Sequence, residues 1–332
     1  MRYFVTGATG FIGGRVARML VAAGHEVVAV ARNPAAASDL GNLGVEVVAG
    51  DVTDKESLRG PMTGVDGVYH IAGWYRVGVK DKSQAVKINV DGTRNVLEVM
   101  RELAIPRGVY TSTLAVNSDT HGRVVDETYH TTGPFLSEYD RTKWVAHYQV
   151  AEPMIAEGLP LVIVMPGVVY GIGDTSSIRT TFLQYLERKL PVIPQRTAFC
   201  WATVEDTAQG HLLAMEKGRV GESYMICGEP YTLVEALDLA ETVTGISRPT
   251  SVPPFVLRAG SSVMRLVEKG VSVPEQFSSE NLRVTAGVTY LGSNARAKRE
   301  LGFAPRPLEE GLPEMLYHEM GLLGLEPKPR QS

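Results

Sequence analysis

The chain has 332 residues, more than one hydrophobic core ordinarily serves, so a nucleotide-sized domain with a smaller lobe, or one enlarged domain, is expected. Hydrophobic residues make up 44% and charged residues 21%, a globular mixture that excludes a disordered or fibrous chain. The formal net charge of −4, with both signs interspersed, offers no basic stripe for phosphates and argues against a nucleic-acid partner.

Short β-branched runs alternate with helical patterns through the first half, the arrangement that forces parallel strands joined by crossover helices. Strands are predicted at 3–6, 26–31, 45–49, 67–71, 108–112 and 161–165. The first predicted helix, 12–23, puts Ile12, Val16, Met19, Leu20 and Ala23 on one stripe, and a second, 90–103, does the same with Val96, Leu97, Met100 and Leu103. After Pro166 come a small-residue loop at 171–177, a helix at 178–189, a proline-punctuated stretch, a capped helix at 203–217 and a strand at 222–227 that rejoins the main sheet. From Pro230 the pattern is mainly helical, and the closing PKPRQS reads as a frayed end. The expected fold is α/β, a doubly wound parallel sheet with a smaller, mainly helical substrate-binding lobe. The lobes interleave: residues 1–166 and about 195–228 in the nucleotide-binding domain, 167–194 and 229–332 in the other.

Cys200 and Cys227 match neither a metal spacing nor a disulfide framework and read as buried thiols of a reducing compartment. No window approaches the ~20 apolar residues that span a bilayer. The opening MRYFVTGATG reaches its glycine turn too soon for a signal peptide, so a soluble, cytoplasmic protein without a membrane partner is expected.

Gly7, Gly10 and Gly13 in TGATGFIGG follow the first strand directly and open the first helix, with Thr9, Phe11 and Ile12 between them. Gly7 permits the tight turn, Gly10 lets backbone approach a pyrophosphate, and Gly13 allows close helix–strand packing beside the positive helix end. The GxxGxxG spacing resembles the short-chain dehydrogenase/reductase superfamily rather than the long-chain dehydrogenases. Where a NAD site offers an acid after its second strand, this chain has Arg32, whose guanidinium suits a 2′-phosphate; NADP is expected, with NAD as the alternative.

Further motifs in chain order resemble the extended branch of that superfamily, its NAD-dependent epimerase/dehydratase family and, within it, the dihydroflavonol-reductase-like members; the resemblance covers nearly the whole chain. Asp51-Val52 resembles the pair that holds adenine. Ile71-Ala72-Gly73 after His70 resembles the Rossmann fourth-strand turn beside the cofactor, and Asn89 in INVDGT the helix asparagine that shapes the site. Pro166, Val168 and Val169 in MPGVVYG resemble the segment touching the nicotinamide, although Met165 stands where the family has arginine. Tyr139 and Lys143 form YxxxK and share one helix face. The resemblance assigns Tyr139 as general acid or base, Lys143 as the cation that lowers its pKa and holds ribose, and Thr113, in Thr111-Ser112-Thr113, as the substrate-oxygen partner. Ser112 replaces Thr113 if the strand end is one residue out of register.

This implies an oxidoreductase moving hydride between the nicotinamide and a ketone, aldehyde or alcohol. An epimerase on a sugar derivative is the alternative, a dehydratase ranks lower because Leu114 and Ala115 supply no acid, and a dinucleotide-sensing regulator would usually lack the Tyr–Lys pair. The arginine by which sugar-nucleotide enzymes grip a diphosphate aligns with Phe199. Trp74, Tyr75, Phe199 and Trp201 are expected either to border the cleft or to fill core. Asp126 and Glu127 read as solvated surface, His70 and His211 as packed histidines, and no metal is expected. A homodimer through the helices of Val90–Leu103 and YxxxK is expected, with Trp144 and Tyr148 offering either that face or internal core.

Overall fold

The computed structural model describes residues 1–79, 81–268, 270, 271, 273 and 278–326; the closing PKPRQS lies outside them. Strands β1 (Arg2–Thr6), β2 (Glu26–Ala31), β3 (Glu46–Ala49), β4 (Gly67–His70), β5 (Gly108–Thr111) and β6 (Leu161–Val164) are short, and most are buried along nearly their whole length. Such strands need helices on both faces. Phe4 faces one layer with Val28, Val68 and Tyr110, against Val96, Leu97 and Met100 of the helix Thr93–Glu102. Val5 faces the other with Val27, Tyr69 and Val109, against Val16 and Leu20 of the helix Phe11–Ala22. Ala23 of the expected stripe lies past that helix's end and is exposed, because the helix stops at the Ala23–Gly24 turn.

All seven strands of the sheet are parallel, in the order Ser223–Tyr224, β6, β5, β4, β1, β2, β3. The order reverses between β1 and β4, so their carboxyl ends diverge into a crevice at the switch point. Register puts Thr6 opposite both Val30 and His70, and His70 opposite Tyr110, which gathers the ends of four strands there.

The second half is less helical than its pattern suggests. β7 (Val168–Tyr170), β8 (Val192–Pro194), β9 (Ala198–Thr203), β10 (the Ser223–Tyr224 strand), β11 (Pro230–Thr232), β12 (Thr250–Val252) and β13 (Thr289–Tyr290) include a four-stranded sheet built on β9 and the pair β8–β12. Pieces this short, cut by Pro194 and Pro230, give no alternation to read. A separate core of Tyr170, Phe182, Trp201, Leu237 and Leu312 holds this part together. Trp201 is therefore core, 1% exposed, and Phe199 stacks on Tyr290 at 6.1 Å. Glu127 is also not solvated: its carboxylate accepts from Met225 N at 3.0 Å and faces Arg296, while Asp126 stays exposed. Cys200 and Cys227 are free and buried.

Candidate active site

Gly7 takes φ +73°, and a Cβ there would lie 2.7 Å from Ala72 N; a Cβ on Gly13 would lie 2.1 Å from Gly7 O. Both close approaches need glycine. They seat the start of the helix Phe11–Ala22 against the turn after β4, where the Thr6 hydroxyl accepts from Ile71 N and Ala72 N, each at 3.1 Å. Gly10 caps that helix with no side-chain hydrogen bond, so the first-turn N–H groups stay available to an anion. Gly7, Thr9, Gly10, Phe11, Ile12 and Gly13 line a cleft of about 530 Å³, with Ile71, Ala72 and Gly73 on the facing wall.

At one end of the cleft Arg32 is exposed and has no ion pair or hydrogen bond among the described residues. Beside it Asp51 spends one carboxylate oxygen on Thr53 N and Oγ1, at 2.8 and 2.9 Å, and Val52 is buried. An uncapped helix end, glycines where side chains would collide, and an unpaired guanidinium fit a dinucleotide bearing phosphate charge.

The other end holds the expected trio. Thr113 N-caps the turn after β5, accepting from Ala115 N at 3.2 Å, and its hydroxyl lies close enough to Tyr139 to lower the phenol's pKa. Ser137, the N-cap of Glu138–Trp144, accepts from Asp140 N at 3.1 Å and starts the helix that carries Tyr139 and Lys143. Lys143 Nζ donates to Thr111 O at 2.7 Å and to Tyr110 Oη at 3.0 Å. Burial pushes Tyr139 up to about 12, against a smaller lowering by Thr113 and with Asp140 adding to the rise. Burial likewise brings Lys143 down to about 7. In this arrangement each group is pressed toward its neutral form, and Lys143 Nζ gives its hydrogen bonds to Tyr110 and Thr111.

Ser112 lines the cleft too, but its Oγ meets His147 Nδ1 at 2.7 Å, while Thr111 Oγ1 meets His211 Nε2 at 2.9 Å. Pro166, Val168 and Val169 close the wall behind Lys143. Asn89 stands outside the cleft lining. Its amide is used up by Trp74 N at 2.7 Å, Trp74 O at 2.9 Å and Thr142 Oγ1 at 3.0 Å, tying the cofactor-side turn to the Tyr139 helix. It sits in a π-turn, Lys87–Gly92, that widens the helix at this point.

A buried chain of polar groups backs Lys143. Thr6 Oγ1 accepts the two N–H groups above and so donates to His70 Nδ1, at 2.8 Å; His70 Nε2 donates to Thr93 Oγ1 at 3.0 Å, whose proton goes to Asn89 O at 2.7 Å. Burial, with the nearby Lys143 charge adding to it, holds His70 neutral at about 3. Motif reasoning missed Asp174, Thr175 and Ser176 on the cleft's outer wall, where the Tyr75 hydroxyl meets Thr175 Oγ1 at 2.9 Å. Of the four aromatics weighed for the cleft, Tyr75 lines it. The small-residue loop was the signal for the rest. No group of three or more His, Cys, Asp or Glu among the described residues is arranged to hold a metal.

A family model described as the NAD dependent epimerase/dehydratase family matches residues 3–227. A putative dihydroflavonol 4-reductase of Synechocystis is 30% identical over 95% of this chain and 93% of its own length. A 4-hydroxy-2-methyl-3-oxo-4-farnesyl-3,4-dihydroquinoline-1-oxide ketoreductase of Stigmatella aurantiaca is 31% identical over 92% of each. The crystal structure of gox2253 superposes with a TM-score of 0.84 at 28% identity, covering 98% of this chain and 99% of that one.

Proposed function

Since the chain belongs to the NAD-dependent epimerase/dehydratase family and is an NAD(P)-dependent oxidoreductase, we propose that it reduces an apolar ketone with NADPH, reversibly, using Tyr139, Lys143 and Thr113. The observation that carries this reading is the convergence of those three side chains at one end of a cleft whose other end presents the unpaired Arg32. The nicotinamide supplies the hydride. A phenol whose pKa is about 12 keeps its proton at neutral pH until negative charge grows on a bound carbonyl oxygen. Tyr139 Oη then gives that proton to the oxygen, the carbonyl becomes an alcohol, and the tyrosinate left behind is stabilised by the buried Lys143 once it is protonated. Thr113, beside Tyr139, orients the same oxygen.

Gly7, Gly10 and the first-turn N–H groups hold the pyrophosphate in this reading, Asp51 and Val52 the adenine, and Arg32 a 2′-phosphate. Val168, Val169 and Pro166 pack on the nicotinamide side. An apolar substrate is supported by Val77, Ile88 and Ile178 on the cleft wall and by the farnesyl-bearing compound in the name of the Stigmatella relative. Phe199, half-buried and packed on Tyr290 and Trp201, leaves no guanidinium where a sugar diphosphate would need one.

The test is net oxidation of NADPH and of NADH by a panel of hydrophobic and short ketones, with Arg32→Ala and Tyr139→Phe beside the wild type. Turnover with NADPH, lost in Tyr139→Phe, and a preference for NADPH removed by Arg32→Ala are expected. Cofactor bound tightly without net oxidation by any ketone would overturn the reductase reading in favour of an epimerase.

A further inference from the structure

The helix Pro254–Val267 is built the wrong way round for a helix of a water-facing lobe. Its inner side carries Leu257, Ser261, Met264 and the following Glu268. These face the helix Ser279–Thr285: the Ser261 hydroxyl donates to Ser279 O at 2.7 Å, and the Glu268 carboxylate accepts from Ser279 N and Oγ, both at 2.7 Å. The outer side, where polar residues belong, is apolar. Phe255 is 70% exposed, Val263 59% and Leu266 68%, with Val256, Val267 and Val271 also exposed. Six of the seventeen large exposed hydrophobic residues among the described residues fall in this one stretch, so they are a patch and not the scatter that any surface shows.

Helical geometry sharpens the pattern. At about 100° per residue, Phe255, Ala259, Leu266, Val263, Val256 and Val267 fill one continuous sector. Arg258 and Arg265, seven residues apart, fall together along one edge of it. Both arginines are exposed, neither has a side-chain partner among the described residues, and the helix carries no acid. In a chain of net charge −4 this is a local reversal of sign beside an uncovered apolar stripe.

We propose that the helix Pro254–Val267 docks the protein on an anionic lipid surface, with Phe255, Val263 and Leu266 in the headgroup–acyl boundary and Arg258 and Arg265 on the lipid phosphates. An apolar sector with a cationic edge is the composition of helices that lie in a membrane interface. The contact is peripheral, since the helix has 14 residues and a span needs ~20. A lipid surface fits better than a second copy of the chain. The stripe supplies six apolar side chains, whereas a stable protein interface draws on about 20–30 residues a side.

The docking face is also coupled to the cleft. The Ser279–Thr285 helix that carries it presents Glu280, whose carboxylate accepts from Gly78 N at 2.9 Å and Glu138 N at 3.0 Å and pairs with Lys82 at 2.8 Å. Gly78 follows Tyr75 and Val77 of the cleft wall, and Glu138 precedes Tyr139. A lipid surface at this helix therefore sits two hydrogen bonds from the cleft, which suits delivery of an apolar ketone; the docking itself does not depend on the reductase reading.

The test is flotation of the full-length protein with vesicles of phosphatidylcholine alone and of phosphatidylcholine mixed with phosphatidylglycerol. Two double variants accompany it, Phe255→Ser with Leu266→Ser and Arg258→Glu with Arg265→Glu. Wild type is expected to float with the mixed vesicles. The charge reversal should weaken binding by about 30-fold or more, from roughly a factor of five for each arginine removed from an anionic surface. The serine variant should stay in solution. Because all four residues are exposed, the variants should keep the wild-type melting temperature and cofactor affinity, which shows that the loss is local. Wild type remaining unbound to both vesicles, or variants that float like wild type, would overturn the proposal. So would a wild-type dimer that the serine variant converts to monomer without any vesicle binding, since the stripe would then be a self-association face.

Discussion

Replacing Lys143 by methionine tests the electrostatics of the site through stability alone. The side chain is 4% exposed, and burial lowers its pKa from 10.5 to about 7. In the unfolded chain the amine keeps its proton up to its ordinary value, so between about pH 7 and 10.5 the unfolded state binds more protons and stability rises with pH. Integrating the difference from pH 7.5 to 9.5 at about 1.36 kcal/mol per unit gives a rise of roughly 2.5 kcal/mol from this one group. The upper limit of the window stays below the point at which unfolded tyrosines ionise. Urea unfolding of the cofactor-free protein at three pH values in this range provides the profile. Lys143→Met also orphans Thr111 O, a constant cost of about 1–3 kcal/mol, so the slope and not the offset carries the answer. The wild-type profile should climb by about 2.5 kcal/mol relative to the variant's. Parallel profiles would show that Lys143 keeps its charge in the fold, and the account of a neutral, burial-poised lysine would fail.

Gly13→Ala should abolish dinucleotide binding and cost roughly 3 kcal/mol or more in denaturant unfolding, because its Cβ would sit 2.1 Å from Gly7 O with backbone on both sides. Asp140 is buried, and its pKa is raised from 3.8 to about 6, chiefly by desolvation. A raised carboxyl favours the fold below its unfolded value and loses that advantage as pH climbs. Wild type should therefore lose about 2 kcal/mol between pH 4 and 6 that Asp140→Asn does not, read from melting curves across that range. Tyr75→Ala removes the hydroxyl bridge to Thr175 and part of the outer wall. KM for a bulky ketone should rise about tenfold with kcat nearly unchanged; an equal fall in kcat would place Tyr75 in the chemistry instead.

The nucleotide half of the fold was legible because its signals are local. The first six strands of the main sheet are short runs that each carry valine, each glycine of the turn has a steric task, and the Thr203 cap announces its helix, as the bond from Asp206 N to Thr203 Oγ1 at 3.1 Å shows. The second half was not, because its strands are two to six residues long and owe their existence to partners far away in sequence: β9 pairs with residues 168–170, 230–232 and 289–290. Glu127 misled for the same reason, since its partner Met225 N lies 98 residues further on. Period and propensity describe a segment, and none of these contacts belongs to one.

The hydroxyls at the end of β5 show where sequence reasoning stops inside the site. Thr111, Ser112 and Thr113 are adjacent and chemically alike, so a one-residue shift exchanges their roles, and only the family pattern favoured Thr113. In the folded chain the hydroxyls differ in their surroundings: Thr111 meets His211, Ser112 meets His147, and Thr113 accepts from Ala115 N beside Tyr139. Burial holds both histidines below their ordinary pKa, so they stay neutral and bond the first two hydroxyls without bringing charge to the site. That leaves Thr113 as the hydroxyl of the three that acts on the tyrosine, lowering its pKa against the rise from burial. His211, which reads from sequence as a packed histidine, and His147 thus sort the cluster: each takes one hydroxyl and leaves Thr113 beside Tyr139.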